Sequence, residues 1–462
     1  MNLGLRYEYD QPVYEVQNRI ANIDLTNKTV LLAAVGGNSR SLYKPTYTQI
    51  DPRFGFAYQV NNRLVVRGGF SSVTFMDFNA LTHAANPPFS TQSSATATAP
   101  SAAFGGSPVS PSAGFTGSAV AATSYTAWTN LKPAFVLSFD LAVEYQLSNT
   151  SSLMAAYVGN VGSRLLDQRA GNQWTTTNVA ASAPFYNLVG SSGSVTIYES
   201  ESNQNYNGGE VIYRKRSGHG LSFTANYTFA KNLTNSTGPA TPSNISGGSN
   251  FPQNAYNLGA EYGPAGFDIR HMLTATWVYE LPFSRGKLIG TNANRLVDDV
   301  IGGWKISGNA TLYSGFPVTI QATNVAGVNQ ATGRANHYRK LQVRNRKTTN
   351  WWGDDPSAGQ CLTAGVDNGN CAYGVPAAGT FGNAGVGTER SAGFRGIDMA
   401  GSKTLHIASE HMLEFRADAY NVGNISSYNN PGRNVAASTG WGLVQSTRSQ
   451  QRQIQFSLKY RF

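Results

Sequence analysis

Gln453-Ile454-Gln455-Phe456-Ser457-Leu458-Lys459-Tyr460-Arg461-Phe462 is the stretch on which the fold class turns. Ile454, Phe456, Leu458, Tyr460 and Phe462 alternate with Gln455, Ser457, Lys459 and Arg461. A period of two sends successive side chains to opposite faces of a β-strand, so one face is apolar and the other polar. The run has the length of roughly 9–11 residues that a tilted strand needs to cross a bilayer.

The same alternation recurs along the chain. Leu3, Leu5, Tyr7 and Tyr9 alternate with Asn2, Gly4, Arg6 and Glu8. Phe54 to Val60, Phe135 to Leu147, Leu221 to Phe229, Leu273 to Leu281 and Leu413 to Ala419 follow suit. Tight turns are expected at Asn61-Asn62-Arg63, Ser148-Asn149-Thr150, Ser217-Gly218-His219 and Ala408-Ser409-Glu410. Between these hairpins lie long irregular stretches, near 10–51, 76–134, 164–205, 232–267, 315–393 and 423–450. One short-side connector, 282–302, is longer, and Leu296 to Ile301 reads as a helical turn inside it. The stretch from Ser90 to Ser124 is rich in Ser, Thr, Ala, Gly and Pro and is expected to be mobile. About twelve strands with short turns on one side and long loops on the other predict an all-β, transmembrane antiparallel β-barrel.

Composition agrees. The chain has 462 residues, of which charged residues make up 13% and aromatics 11%. An average soluble domain carries about 25% charge. No run of 18 apolar residues exists, so no transmembrane helix is expected. The mean hydropathy of −0.29 does not argue against a membrane barrel, because alternation averages out. The net charge of +10 would suit nucleic acid, but the basic residues are scattered, with Arg344, Arg346 and Lys347 among the denser groups. No nucleic-acid partner is expected.

Alternation alone does not separate a soluble sandwich from a barrel. The aromatic ends of the apolar face, as at Tyr460 and Phe462, suit interfacial girdles. The polar face carries Asp140, Glu144, Glu210, Arg214, Glu414, Arg416 and Asp418, mixed in sign, as a wet lumen would. Signatures of catalysis are lacking: there is no G-x-S-x-G, Walker A, H-E-x-x-H or C-x-x-C. No enzymatic activity, cofactor or metal is expected. Asp268, Arg270 and His271 read as a polar strand end rather than acid–base machinery. Asp354, Asp355 and Asp367 lack calcium-loop spacing. Adjacent Trp351 and Trp352 in a polar loop suit either ligand stacking or a loop anchor packed on its neighbours. Cys361 and Cys371 read as a local disulfide, with two free thiols as the alternative.

The chain resembles the C-terminal barrel portion of TonB-dependent outer-membrane receptors, in particular the Oar-like group. The likeness is carried by Leu3-Gly4-Leu5-Arg6-Tyr7-Glu8, Asp51-Pro52-Arg53-Phe54-Gly55-Phe56-Ala57-Tyr58 and Asn205-Tyr206-Asn207 with Tyr213-Arg214-Lys215-Arg216. It continues through Ala225 to Lys231, Asp268-Ile269-Arg270-His271, Tyr279-Glu280-Leu281-Pro282-Phe283 and Gly302 to Gly308. Ser314-Gly315-Phe316-Pro317, Phe415 to Asn421, Asn430-Pro431-Gly432 and Arg452 to Phe462 complete it. The family pattern includes a signal peptide, a plug domain and a TonB box, none of which is recognised in this sequence.

The resemblance implies that residues 1–462 are the C-terminal half of a barrel of roughly twenty-two strands. It implies a bacterial outer-membrane receptor that takes up a bulky ligand such as a siderophore, oligosaccharide or peptide. Loop aromatics Trp174, Tyr338, Trp351 and Trp352 would meet ligand, and the charges of the polar face would meet plug or ligand. Partners implied are outer-membrane lipid, the plug domain and TonB complex through an N-terminal part, and the barrel-assembly machinery. The last of these would read Phe456, Leu458, Tyr460 and Phe462 as an assembly signal. The alternatives are a passive porin-type channel and a secreted soluble β-rich adhesin or carbohydrate-binding protein.

Overall fold

The structure, a computed structural model, describes residues 1–76, 86–89, 124–191, 193–218, 220–236, 251–284, 287–292, 294–323, 326–329, 333–407 and 411–462. Residues 90–123 of the Ser/Thr/Ala-rich stretch, His219, and the expected turn at 408–410 lie outside these.

Twelve strands run in sequence order through one sheet. They are β1 (Asn2–Glu8), β2 (Gln49–Asn61), β3 (Leu64–Phe75), β4 (Ala134–Ser148), β5 (Ser151–Ala170) and β6 (Ser194–Gly218). Then come β7 (Leu221–Thr234), β8 (His271–Glu280), β9 (Trp304–Tyr313), β10 (Phe394–His406), β11 (Met412–Tyr420) and β12 (Gln453–Arg461). Every consecutive pair is antiparallel, so connectors alternate strictly between two ends. The short ones follow β2, β4, β6, β8 and β10 at one end, and the long ones occupy the other, as the sequence predicts. Register shifts sit beside three of the tight turns, at Gln59/Asn61, Gln146/Ser148 and Leu221/Phe223. An extra residue there turns the corner and steepens the local twist.

The register keeps the two faces separate across the whole sheet. On the apolar face Leu64 stands opposite Tyr145, Tyr145 opposite Leu153, and Leu153 opposite Tyr213. At the far side Leu413 meets Tyr460 and Phe415 meets Leu458. Leu458 is 67% exposed, yet it belongs to a continuous apolar surface. Tyr58, Tyr145, Tyr213, Tyr279 and Tyr460 lie on this face near the short turns, where an aromatic belt would stand. β1 and β12 each pair with one neighbour only, and not with each other.

Two strands run past the boundaries expected from the sequence. β5 has 20 residues and β6 has 25, so much of 164–205 is strand rather than loop. Beyond a register shift at Gly162/Leu165, the hairpin rises out of the two-faced sheet and is covered on both sides. There Ser124–Trp128 pairs parallel with β6, and Ile23, Tyr125, Ala127, Phe185, Val195 and Ile197 form a core. Alternation is lost where both faces are buried.

The long connectors build a second core. Val318, Ile320, Trp352, Tyr373, Val375 and Val435 are among its buried members, drawn from 314–393 and from the connector after β11. Small sheets brace it: Pro317–Val318 pairs Glu389–Arg390, and Tyr373–Gly374 lies between Asn336–His337 and Gln360–Cys361. Cys361 and Cys371 are joined in a disulfide, and the Arg339 guanidinium bonds both Asp367 and the Cys371 carbonyl beside it. These two connectors thus form a packed cap over one end of the sheet.

Candidate functional site

The polar face of the sheet holds charges in pairs. Asp140, Glu144, Glu210 and Arg214 stand opposite Val158, Met154, Ala156 and Ser152 respectively, all on the same face. Glu414, Arg416 and Asp418 occupy that face at the other side, opposite Lys459, Ser457 and Gln455. Near the short turns Glu144 lies 3.1 Å from Arg67 and 3.7 Å from Arg214, and accepts a hydrogen bond from Ser152 at 3.1 Å. Arg416 pairs with Asp418 at 2.7 Å and Arg461 with Glu414 at 3.2 Å. Partly exposed pairs of this kind contribute about 0–1 kcal/mol each, so their main effect is a wet, ion-bearing surface.

At the opposite end the polar face runs into a cleft of about 820 Å³. Its walls come from the end of β9 and from the connector between β11 and β12. Tyr313 is the last residue of β9, on the face of Asn309 and Thr311, and stacks on Phe394 with centroids 5.0 Å apart. Phe316 follows at 5.7 Å from Tyr313. The Arg448 guanidinium stands 4.6 Å over the Phe316 ring, and its Nη1 is buried without a hydrogen-bond partner. Arg433 donates to Gln321 Oε1 at 3.0 Å, and burial pushes its pKa down from the usual arginine value. Asn429, Gln445 and Ser446 add amide and hydroxyl groups. Two aromatic rings, two guanidinium groups and several amides therefore converge where the cap meets the polar face. Such a surface holds an anionic, flat or polyoxygenated group through charge-assisted hydrogen bonds and cation–π contact.

The sequence-predicted loop aromatics sit elsewhere. Trp351 and Trp352 are 7% and 0% exposed, so the expectation of direct ligand stacking is corrected to the loop-anchor alternative. The Trp351 indole donates to the Arg390 carbonyl at 3.3 Å, and Arg346 covers its ring at 4.2 Å. The Trp352 indole donates to the Gly432 carbonyl at 3.0 Å, and its ring packs on Trp441. Both rings are turned inward because the loop core needs their apolar area and offers a carbonyl to each N–H. Gly432 lines the cleft, so Trp352 sets the cleft wall from behind. Trp174 is half-buried, with its indole donating to Ser191 at 3.1 Å. Tyr338 is half-buried against Asn336 and Gly374. Neither lines the cleft.

The remaining candidates resolve locally. Asp268 is buried and bonds Arg390 at 2.5 Å and the Asn232 backbone N–H at 2.7 Å, clamping strand ends. His271 bonds the Tyr227 hydroxyl on the apolar face. Asp354, Asp355 and Asp367 are held by Asn345, Arg344 and Arg339 respectively and do not converge. Among the described residues the one grouping of metal-type ligands is Cys361, Asp367 and Cys371, with both sulfurs committed to the disulfide. Sequence reasoning passed over Arg433 and Arg448. The signal was present in part: Phe316 of Ser314-Gly315-Phe316-Pro317 and the segment Asn430-Pro431-Gly432, distant in sequence, line the same cleft.

A family model described as outer membrane beta barrel domain matches residues 1–455. No curated protein matches the chain. Among solved structures, the outer membrane transporter YddB from Escherichia coli is 10% identical with a TM-score of 0.46, covering 91% of this chain and 41% of that one. The FrpB iron transporter from Neisseria meningitidis (F3-3 variant) is 11% identical with a TM-score of 0.40, covering 89% and 38%. BauA, the ferric preacinetobactin receptor from Acinetobacter baumannii, is 9% identical with a TM-score of 0.38, covering 94% and 39%. The chain thus spans about two fifths of the length of these structures.

Proposed function

The chain belongs to the outer membrane β-barrel domain family, and from that premise we propose that it is the barrel portion of a TonB-dependent receptor of the Oar-like group. Its place is the bacterial outer membrane, where the apolar face of the sheet meets lipid and the polar face lines the lumen. Family membership sets aside the soluble adhesin reading.

The observation that carries the proposal is the cleft between cap and lumen. A passive pore is served by loops that leave the lumen open. Here the connectors after β9 and β11 fold into a cap with its own core and disulfide, and that cap closes around a pocket of aromatic and cationic side chains. Such a cap selects a scarce ligand at the cell surface before admitting it. The ligand is bulky and bears anionic oxygens that Arg433 and Arg448 would hold.

The twelve strands are, in this proposal, the C-terminal portion of a larger barrel. β1 and β12 would otherwise present unpaired N–H and C=O groups to hydrocarbon, each at a cost of several kcal/mol. Further strands would close the sheet, a plug domain would fill the lumen against the Glu144 and Arg416 clusters, and the TonB complex would supply energy. The barrel-assembly machinery would take β12 as its recognition strand.

The test is uptake in cells before and after collapse of the inner-membrane proton gradient. The proposal expects ligand binding to persist while uptake stops. Steady, energy-independent passage of small solutes through the reconstituted protein would refute it in favour of a passive channel.

A further inference from the structure

The connector between β8 and β9 differs from the tight turns beside it. It begins as a small fold-back in which the Ser284 N–H donates to the Ile289 carbonyl at 3.0 Å and the Ile289 N–H donates to Pro282 at 2.9 Å. It continues into a helix, Arg295–Ile301, capped by the Asn294 side chain, which accepts from the Val297 N–H at 2.9 Å. The Ser284 hydroxyl donates to Asp298 Oδ1 at 2.9 Å and ties the two parts together.

The helix then turns onto the outside of the sheet. Lys403 Nζ donates to the Val300 and Gly302 carbonyls at 2.9 and 2.7 Å. The Trp304 indole donates to the Val300 carbonyl at 3.1 Å. Trp304 and Lys403 are register partners, and Lys403 stands opposite Phe415, which stands opposite Leu458. All of these lie on the lipid-facing side. The connector therefore rests against the outer wall of the barrel at its short-turn rim. A lysine on that wall is accommodated because the carbonyls at the helix C-terminus cover its ammonium group.

This element turns four large apolar side chains outward, beside the exposed polar residues Lys287, Asn292, Asn294 and Asp299. Leu288 is 85% exposed and Val300 69%, with Ile289 and Val297 also exposed. Val297 and Val300 are three residues apart and share one helix face. Of the two acids of the helix, Asp298 is directed to Ser284 and Asp299 interacts with the charge of Lys403. Val300, whose carbonyl takes the Lys403 and Trp304 bonds, adjoins the lipid-facing wall, and short turns face the periplasm in barrels of this kind.

We propose that the 282–302 connector is an interfacial anchor that seats Leu288, Ile289, Val297 and Val300 in the headgroup–acyl boundary of the inner leaflet, with phospholipid as its partner. Interfacial helices bury their apolar face about 5–10 Å into that boundary. The anchor would fix the depth of β8, β9 and β10 in the membrane, and through them the height of the cleft wall that β9 carries.

The test places an environment-sensitive fluorophore on Val300→Cys or Leu288→Cys. The protein is extracted from outer membranes and reconstituted in phosphatidylethanolamine and phosphatidylglycerol vesicles. The disulfide leaves the introduced thiol as the free one in the chain. Retained heat-modifiable migration selects folded protein, and having two positions guards against the loss of either variant. Both probes should emit to the blue of a probe on Asn292→Cys and be quenched by lipids brominated near the carbonyl region. Water-like emission without lipid quenching at both positions overturns the proposal. Shielding of the probes only on addition of periplasmic protein overturns it as well, in favour of a protein partner.

Discussion

Replacing Ala275 by arginine should strongly destabilise this protein in the membrane, whereas the same change one residue on, at Thr276, should be nearly silent. Both residues lie in the middle of β8, which has ten residues. At roughly 3.3 Å per residue, Ala275 is about 13–17 Å of strand from either end, close to mid-depth. Its neighbours on the outer face are Ala225 and Ala310, so an arginine side chain meets no steric block there. The cost is that of a guanidinium group in hydrocarbon, about 2–4 kcal/mol at the midplane. That corresponds to a fall of roughly thirty- to a thousandfold in the folded-to-unfolded ratio, at tenfold per 1.4 kcal/mol. Thr276 faces Thr224 and Asn309 on the lumen side, where water and polar groups solvate the charge. Its change should stay within about 0.5 kcal/mol. Urea titration of vesicle-reconstituted protein, followed by heat-modifiable migration, measures both. Equal midpoint shifts, or a larger shift for Thr276→Arg, would show that the two faces have been assigned the wrong way round.

Other outcomes follow from the cap. Cys361→Ser should cost about 2–3 kcal/mol by the loop-closure estimate, seen as faster proteolysis within 314–393 while the strands stay heat-modifiable. Arg448→Gln should weaken capture of an anionic ligand by roughly ten- to a hundredfold, the value of a charged hydrogen bond, in whole-cell binding. Trp352→Ala should cost about 3–5 kcal/mol in the cap and abolish binding without touching ligand, and Trp352→Phe should recover most of it. Glu389 accepts from the Tyr373 hydroxyl at 2.7 Å, and burial raises its pKa against the opposing pull of Tyr373, His337 and Arg346. A raised carboxyl pKa stabilises the cap fully below the ordinary glutamate range and loses that contribution as pH rises through the elevated value. Protease resistance of the cap should therefore fall with rising pH, and Glu389→Gln should flatten the profile.

The strands were legible because a sheet that is lipid-facing on one side and wet on the other imposes a strict period of two. Leu413, Phe415 and Ala417 against Glu414, Arg416 and Asp418 predict their faces without reference to any neighbour, and the register agrees. The helical turn expected at Leu296 to Ile301 is the helix Arg295–Ile301. The upper parts of β5 and β6 were hidden because both faces are covered there in places: the consecutive residues Asp167 and Gln168, and Glu199 and Ser200, are all buried, so a polar residue no longer marks a wet face. The cleft was hidden for a different reason. Its walls are set by contacts between segments that only the folded sheet brings together, and an isolated arginine such as Arg448 carries no local pattern. Trp351 and Trp352 drew attention by their chemistry, but a side chain's type does not tell which way a loop turns it.

The position of the cleft makes it a gauge of assembly. Its two walls, Tyr313 with Phe316 and the Asn429 to Arg448 segment, are separated in the chain by β10 and β11. A slip of one residue anywhere in that hairpin would displace one wall against the other by about 3.3 Å and turn polar side chains outward. The cation–π pair of the cleft needs both walls, since one supplies Phe316 and the other Arg448. On the proposed function, ligand capture by a cell then reports that β9 to β12 have zipped in the correct frame. Misregistered barrels would be silent at the surface rather than leaky in their choice of cargo.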